Sequence, residues 1–228
     1  MKWEKTDLKI VDRYEKMIRA FFDEVAAGHV FVRIMFTQNV HVPLGLTPAH
    51  QAESYYILYY QFLKHGFGLR HLPPHTHPPR LRIYFDEMAD TREKVAKFRG
   101  FVGGLTSDQF VRATGLILEP QDITEVRSHD HILMQCLDVV LGSMSFRLNN
   151  KHLALQPGTG MRGKRTLAKE RLYKFILGEI KRVTGKRAFN IGVTTGLSAH
   201  PGGLWSDPYL HWRFVPRQHA YDASLRKP

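Results

Sequence analysis

Two sets of side chains have the type and spacing to do chemistry. The first is Asp86 with Glu87, directly after the short apolar run of residues 81–85. In open α/β sheets, ligands gather at the carboxyl ends of strands, so acids there are better candidates than acids elsewhere. The second lies in "RSHDHILMQCLDVVLG". On a helix His131, Gln135, Asp138 and Gly142 fall at i, i+4, i+7 and i+11, one narrow stripe in otherwise apolar sequence. A carboxylate such as Asp138 leaves water only at a cost of several kcal/mol unless it is paired, protonated or metal-bound. Two carboxylates from different elements, meeting over a sheet edge, could hold Mg²⁺ or Mn²⁺, hard cations that favour oxygen ligands. In phosphodiester cleavage such ions activate water and stabilise the leaving oxygen, often as a pair roughly 3.5–4 Å apart. On this reading Asp86 and Asp138 are metal ligands. Glu87, Asp130 and His131 assist, Asp130 as a further carboxylate and His131 by orienting water or a phosphate.

The elements that position these groups alternate. Tyr14, Met17, Ile18, Phe21, Phe22 and Val25 share one face of a helix expected over residues 11–27. "HVFVRIMF" has the continuous apolar character of a strand covered on both faces, and "ESYYILYYQFLKHG" reads as a second helix. The proline-rich "GLRHLPPHTHPPR" cannot be regular structure, and its His71, His75 and His77 read as loop histidines. Strand 81–85, helix 91–102, an extended "TGLILEP" and the leader "DITEVRS" bring the chain to the polar-striped helix. "FNIGVTTG" is read as a further strand, followed by the aromatic segment "GLWSDPYLHWRF". The order predicts an α/β sandwich, a central sheet flanked by helices.

The chain has 228 residues with 33 Lys+Arg against 21 Asp+Glu, a formal net charge of +12. Such a surplus fits a polyanionic partner, because clustered cations release counterions on binding phosphates. Residues 151–187 hold eleven of the cations and only two acids. Arg162, Lys164, Arg165, Lys169, Arg171 and Lys174 are the expected nucleic-acid contacts, on or before a basic helix at residues 167–183. "GTGMRGKRT" has neither the spacing nor the preceding strand of a phosphate-binding loop. The lone Cys136 rules out an intramolecular disulfide, and no apolar run approaches the length of a membrane span. A cytoplasmic protein without a membrane partner is expected, with a homo-oligomer open.

The segments "LRIYFDE" and "VRSHDHILMQCLDVVLGSMSFRLNN" resemble the ribonuclease-H-like domain-of-unknown-function family numbered 3800. There an apolar strand ends in an acid, and a serine-containing segment leads into a helix bearing Leu-Gln, an aspartate and a glycine. Ser128, Gln135, Asp138 and Gly142 match that order, and "MKWEKT" resembles the family's Lys-Trp segment. The resemblance covers residues 1–150 and implies a ribonuclease-H-like core there; the compositional shift after residue 150 marks a basic extension, a basic helix and a C-terminal strand and aromatic segment at 151–228, expected to pack on the same domain. The resemblance implies a divalent-metal-dependent nuclease, or a module of the same fold that binds nucleic acid or protein without catalysis. Family members carry an acidic strand before the Lys-Trp segment, whereas this chain starts there. A reduced, N-terminally incomplete sheet with fewer carboxylates is the expectation.

Overall fold

A computed structural model describes residues 1–87, 92–198, 200 and 202–226. The elements run α1 (Val11–Ala26), β1 (Val32–Thr37), β2 (His41–Pro43), α2 (Pro48–Ala52), α3 (Ser54–Gly66), β3 (Ile83–Asp86) and α4 (Arg92–Gly103). They continue through α5 (Gln109–Arg112), β4 (Ile123–Val126), α6 (Ile132–Leu148), α7 (Lys164–Thr184), α8 (Gly203–Ser206), β5 (Tyr209–Phe214) and β6 (His219–Tyr221). The chain is mixed α/β, and the helices expected over residues 11–27 and 167–183 form as α1 and α7 within three residues of those bounds, with α6 in the polar-striped segment. Thr91, the expected first residue of α4, lies outside the described residues.

The expected single central sheet does not form. The described strands make three two-stranded sheets: β1 with β5, β2 with β6, and β3 with β4. β1 and β5 are parallel, Val32 opposite Tyr209 through Thr37 opposite Phe214. β3 and β4 are also parallel, Asp86 opposite Val126. The division follows the apolar residues, which collect into separate clusters. Tyr14, Ile18 and Phe22 of α1, Val32 and Ile34 of β1, and Val139 and Met144 of α6 belong to one. Tyr56 of α3, Ile83 of β3, Phe98 and Val102 of α4 and Ile123 of β4 belong to another. The β1–β5 and β3–β4 pairs each pack against their own helices, so neither of these two has to extend the other to bury its apolar face.

Three strand assignments move. "DITEVRS", expected as a leader, contains β4, whereas "TGLILEP" contributes only a single bridge, Arg80 with Ile117. "FNIGVTTG" forms no strand, only the bridge of Thr195 with His211. The strand instead lies in the aromatic segment, as β5. The basic portion after residue 150 packs on the same core, since Leu172, Tyr173, Ile176 and Ile180 of α7 join the cluster formed by α1, β1 and α6.

Candidate functional site

The four residues that match the family pattern do converge, but on the chain's own first residues. Lys2 Nζ donates to Ser128 Oγ at 2.7 Å. The Met1 amino nitrogen donates to Gln135 Oε1. The Trp3 main-chain N–H donates to Asp138 Oδ2 at 2.7 Å, and the Trp3 ring lies on Gly142, where a Cβ would stand 2.3 Å from Cγ. Trp3 is 6% exposed, edge-on to Phe146 with ring centroids 5.6 Å apart, and Lys169 Nζ stands 5.2 Å from its ring centroid. The α6 stripe thus seats an N-terminal strap, and the carboxylate that looked misplaced in an apolar helix is satisfied by a charge-assisted hydrogen bond. The apolar side of the same helix is partly bare. Leu133, Leu137 and Leu141, at i, i+4 and i+8, are 51%, 43% and 53% exposed.

Asp86 also serves the main chain. At the carboxyl end of β3 its Oδ1 accepts from the N–H of Glu87 and of Ser128, both at 3.1 Å, fixing the 3-10 turn Ser128–Asp130 that leads into α6. Glu87 pairs with Arg127 at 3.2 Å, both largely exposed, a contact of little energetic weight. Asp130 meets His129 Nε2 at 3.4 Å in the open. His131 sits at the start of α6, its ring stacked near Tyr84 with centroids 6.5 Å apart. The path from Asp86 to Asp138 runs through Ser128, the Lys2 ammonium and the Trp3 main chain. One oxygen of each acid, Asp86 Oδ1 and Asp138 Oδ2, is taken by main-chain N–H groups, and among the described residues no group of three or more His, Cys, Asp or Glu side chains could hold a metal ion.

The two roles of Asp138 make opposite predictions. Asn at this position keeps an acceptor for the Trp3 N–H but removes its charge, so a stability loss of about 1 kcal/mol is expected in urea denaturation without divalent cations. A carboxylate held for a metal would respond the other way, since removing one of two repelling charges stabilises the metal-free fold.

Most of the expected nucleic-acid contacts are engaged inside the fold. Arg171 pairs with Asp12 at 2.5 Å and Glu15 at 2.7 Å, Lys169 with Glu4 at 3.0 Å, and Lys174 with Glu170 at 3.2 Å. Arg162 also pairs with Glu170. Further along the same two helices, Arg182 of α7 reaches Asp23 of α1 at 2.7 Å and Arg19 of α1 reaches Glu179 of α7 at 2.9 Å. The cationic flank of α7 is laced to the acids of α1. Among the described residues Lys164 and Arg165, at the exposed beginning of α7, form no ion pair.

A cleft of about 930 Å³ opens at the carboxyl ends of β1 and β5, where ligands collect in parallel α/β structures. Strand alternation builds its floor. Ile34 and Phe36 of β1 stand opposite His211 and Arg213 of β5 in the parallel register, all on one face. Helix periodicity builds the facing wall, because Leu141, Met144, Ser145 and Leu148 are at i, i+3, i+4 and i+7 of α6. Gln38, Asn39 and His41 after β1, with Tyr221 and Arg226 near the C-terminus, close the rim. Among the described residues the lining contains no Asp or Glu, and its permanently charged groups are Arg213 and Arg226. His211 is fully buried; its Nδ1 is 3.4 Å from the Tyr209 hydroxyl, whereas Nε2 has no hydrogen-bond partner. Burial pushes its imidazole down to about 4, opposed by the Ile191 carbonyl. His41, whose ring centroid lies 4.8 Å from that of His219, is also held below the usual range by burial, His219 and Arg213. Its Nδ1 is another buried nitrogen without a partner.

None of these cleft residues was singled out from the sequence. The available signal was the alternation of Tyr209, His211 and Arg213, which is visible once "PYLHWRF" is read as a strand. No protein-family model, no curated protein and no solved structure matches the chain.

Proposed function

We propose that the protein binds nucleic acid, and that the cleft at the carboxyl ends of β1 and β5 is where it does so. The observation that carries this reading is the cleft's lining: two arginines, amide side chains and an exposed tyrosine, without an Asp or Glu among the described residues. Arginine holds phosphate in a fixed, permanently charged fork, and aromatic rings with amides are the groups that receive the faces and edges of unpaired bases. Single-stranded segments are favoured over duplex, because a recessed cleft admits splayed bases and not a paired helix. Binding without metal-dependent cleavage is preferred, since one oxygen of Asp86 and one of Asp138 already accept main-chain N–H groups.

The test is fluorescence anisotropy with labelled single-stranded RNA and DNA, with and without EDTA. Neutralising two or three phosphates gives a log–log salt slope of about −1.4 to −2.1, a roughly 7- to 18-fold loss of affinity between about 50 and 200 mM salt. EDTA leaves the affinity unchanged. Salt-insensitive binding, or none, removes the reading. Mg²⁺- or Mn²⁺-stimulated cleavage that disappears in Asp86→Asn and Asp138→Asn would restore the nuclease expectation in its place.

A further inference from the structure

We propose that the inner end of this cleft is a pocket for a single nucleotide unit, with His211 Nε2 bonded to the polar edge of the base and Arg213 to the phosphate. The inference rests on the nucleic-acid reading and narrows it to one ligand class and two named contacts.

Its first support is the orphaned nitrogen. Buried polar atoms in folded proteins nearly always have partners, so one that lines a cleft and has none calls for an explanation. His211 Nε2 meets that description, and His41 Nδ1 is a second such atom in the same lining. Both nitrogens are closed off from solvent, so a ligand that satisfies them must turn the rings toward the cleft and present hydrogen-bonding atoms to them there.

The second support is shape and order along the strand. Around His211 the surfaces are apolar and flat-sided. Phe36 lies with its ring centroid 4.8 Å away, and Ile34, Met144 and Leu148 complete that zone. Arg213 follows two residues later on the same face, nearer the carboxyl end and the opening. The sequence from inside to outside is polar nitrogen, apolar slot, cation. A nucleotide has that same order: polar base edge, apolar base faces, then phosphate. A fatty acid would satisfy the apolar slot and the arginine, but its chain would leave both orphaned nitrogens unpaired. The imidazole stays neutral around pH 7, so Nε2 can accept or donate according to tautomer, and it does not repel a base.

The experiment is isothermal titration of the full chain with nucleoside 5′-monophosphates, the matching nucleosides, inorganic phosphate and a medium-chain fatty acid. A mononucleotide is expected to bind, with the nucleoside weaker by about tenfold or more and phosphate alone weaker still. Arg213→Gln should lower mononucleotide affinity by about tenfold while leaving nucleoside binding little changed. His211→Phe, which fills the inner end, should abolish both. Should His211→Phe not fold, Arg213→Gln at the cleft mouth still decides the matter by itself. The inference falls if phosphate binds as tightly as the nucleotide, if the fatty acid is the preferred ligand, or if Arg213→Gln changes nothing. Oligonucleotides that bind in a salt-sensitive manner while every mononucleotide fails would remove this pocket and leave the nucleic-acid reading standing. Failure of both removes both.

Discussion

Gly142→Ala is expected to unseat Trp3 and lower stability by about 2–4 kcal/mol. The added Cβ would meet Trp3 Cγ at 2.3 Å, Cβ at 2.6 Å and Cδ1 at 2.7 Å, separations that real side chains do not sustain. The indole cannot shift locally. Its main-chain N–H is tied to Asp138, its edge meets Phe146, and the Lys169 ammonium lies over it. The strap must lift, and Trp3 loses its burial. Truncating a buried aromatic costs about 3–5 kcal/mol, and the better helix propensity of alanine returns about 1 kcal/mol of it. A double-mutant cycle makes the claim sharp. On a Trp3→Gly background all three clashing atoms are gone, so Gly142→Ala should change sign and stabilise by about 0.5–1 kcal/mol. Urea denaturation of the four proteins reads both numbers. If Gly142→Ala stabilises the parent chain as well, Trp3 does not sit on α6.

The same contact shows what the sequence could and could not convey. The stripe of His131, Gln135, Asp138 and Gly142 was legible because helix periodicity is local. Its occupant was not, because the Trp3 N–H that satisfies Asp138 lies 135 residues away in sequence. A polar stripe announces that something polar will be met. It does not say whether that is a metal, a substrate or the protein's own backbone. The basic segment shows a related limit. Eleven cations against two acids read as a surface for phosphates, yet Arg171 pairs with Asp12 and Glu15 of α1, and Arg182 pairs with Asp23 of α1 as well as with Glu179 of its own helix. Composition within a window omits partners outside it. α1 was readable, since Tyr14, Ile18, Phe21, Phe22 and Val25 fall on the buried face as the spacing requires. The sheet was not, because strand pairing is non-local and the β1 partner stands more than 170 residues downstream. The cleft needs that pairing to exist at all: β1, α6 and β5 each supply one unremarkable stretch, and only their assembly leaves a walled space with Arg213 and an imidazole whose Nε2 has no partner.

Acid is expected to weaken the fold through that imidazole, by about 3 kcal/mol between neutral pH and pH 4. Burial holds His211 at about 4 in the folded chain, against 6.5 for an ordinary histidine. The folded state keeps the ring neutral, so below pH 6.5 the unfolded chain binds a proton that the folded chain refuses. Stability then falls as the pH drops from about 6.5 and levels out below about 4. At roughly 1.36 kcal/mol per unit, the gap of about 2.5 units gives that figure. Above pH 6.5 both states are neutral and His211 contributes no pH dependence. Other groups act nearby. Burial also lowers His65 and His152, so wild type alone is not decisive in the same window. Asp108 and Asp122, held low by their Lys64 and Arg80 partners, lose their contribution only in more acidic solution. The comparison that isolates His211 is the slope of unfolding free energy between pH 7 and 4.5 in wild type and His211→Gln, which cannot titrate. The variant should be flatter by about 2–3 kcal/mol over that interval. A bound ligand that accepts a hydrogen bond from the ring would favour its protonated form and shallow the wild-type slope, whereas one that donates to the neutral nitrogen would steepen it. Equal slopes in wild type and His211→Gln would mean that the ring reaches water or a carboxylate in solution, and an imidazole so relieved could no longer be the unsatisfied group that a ligand is needed to complete.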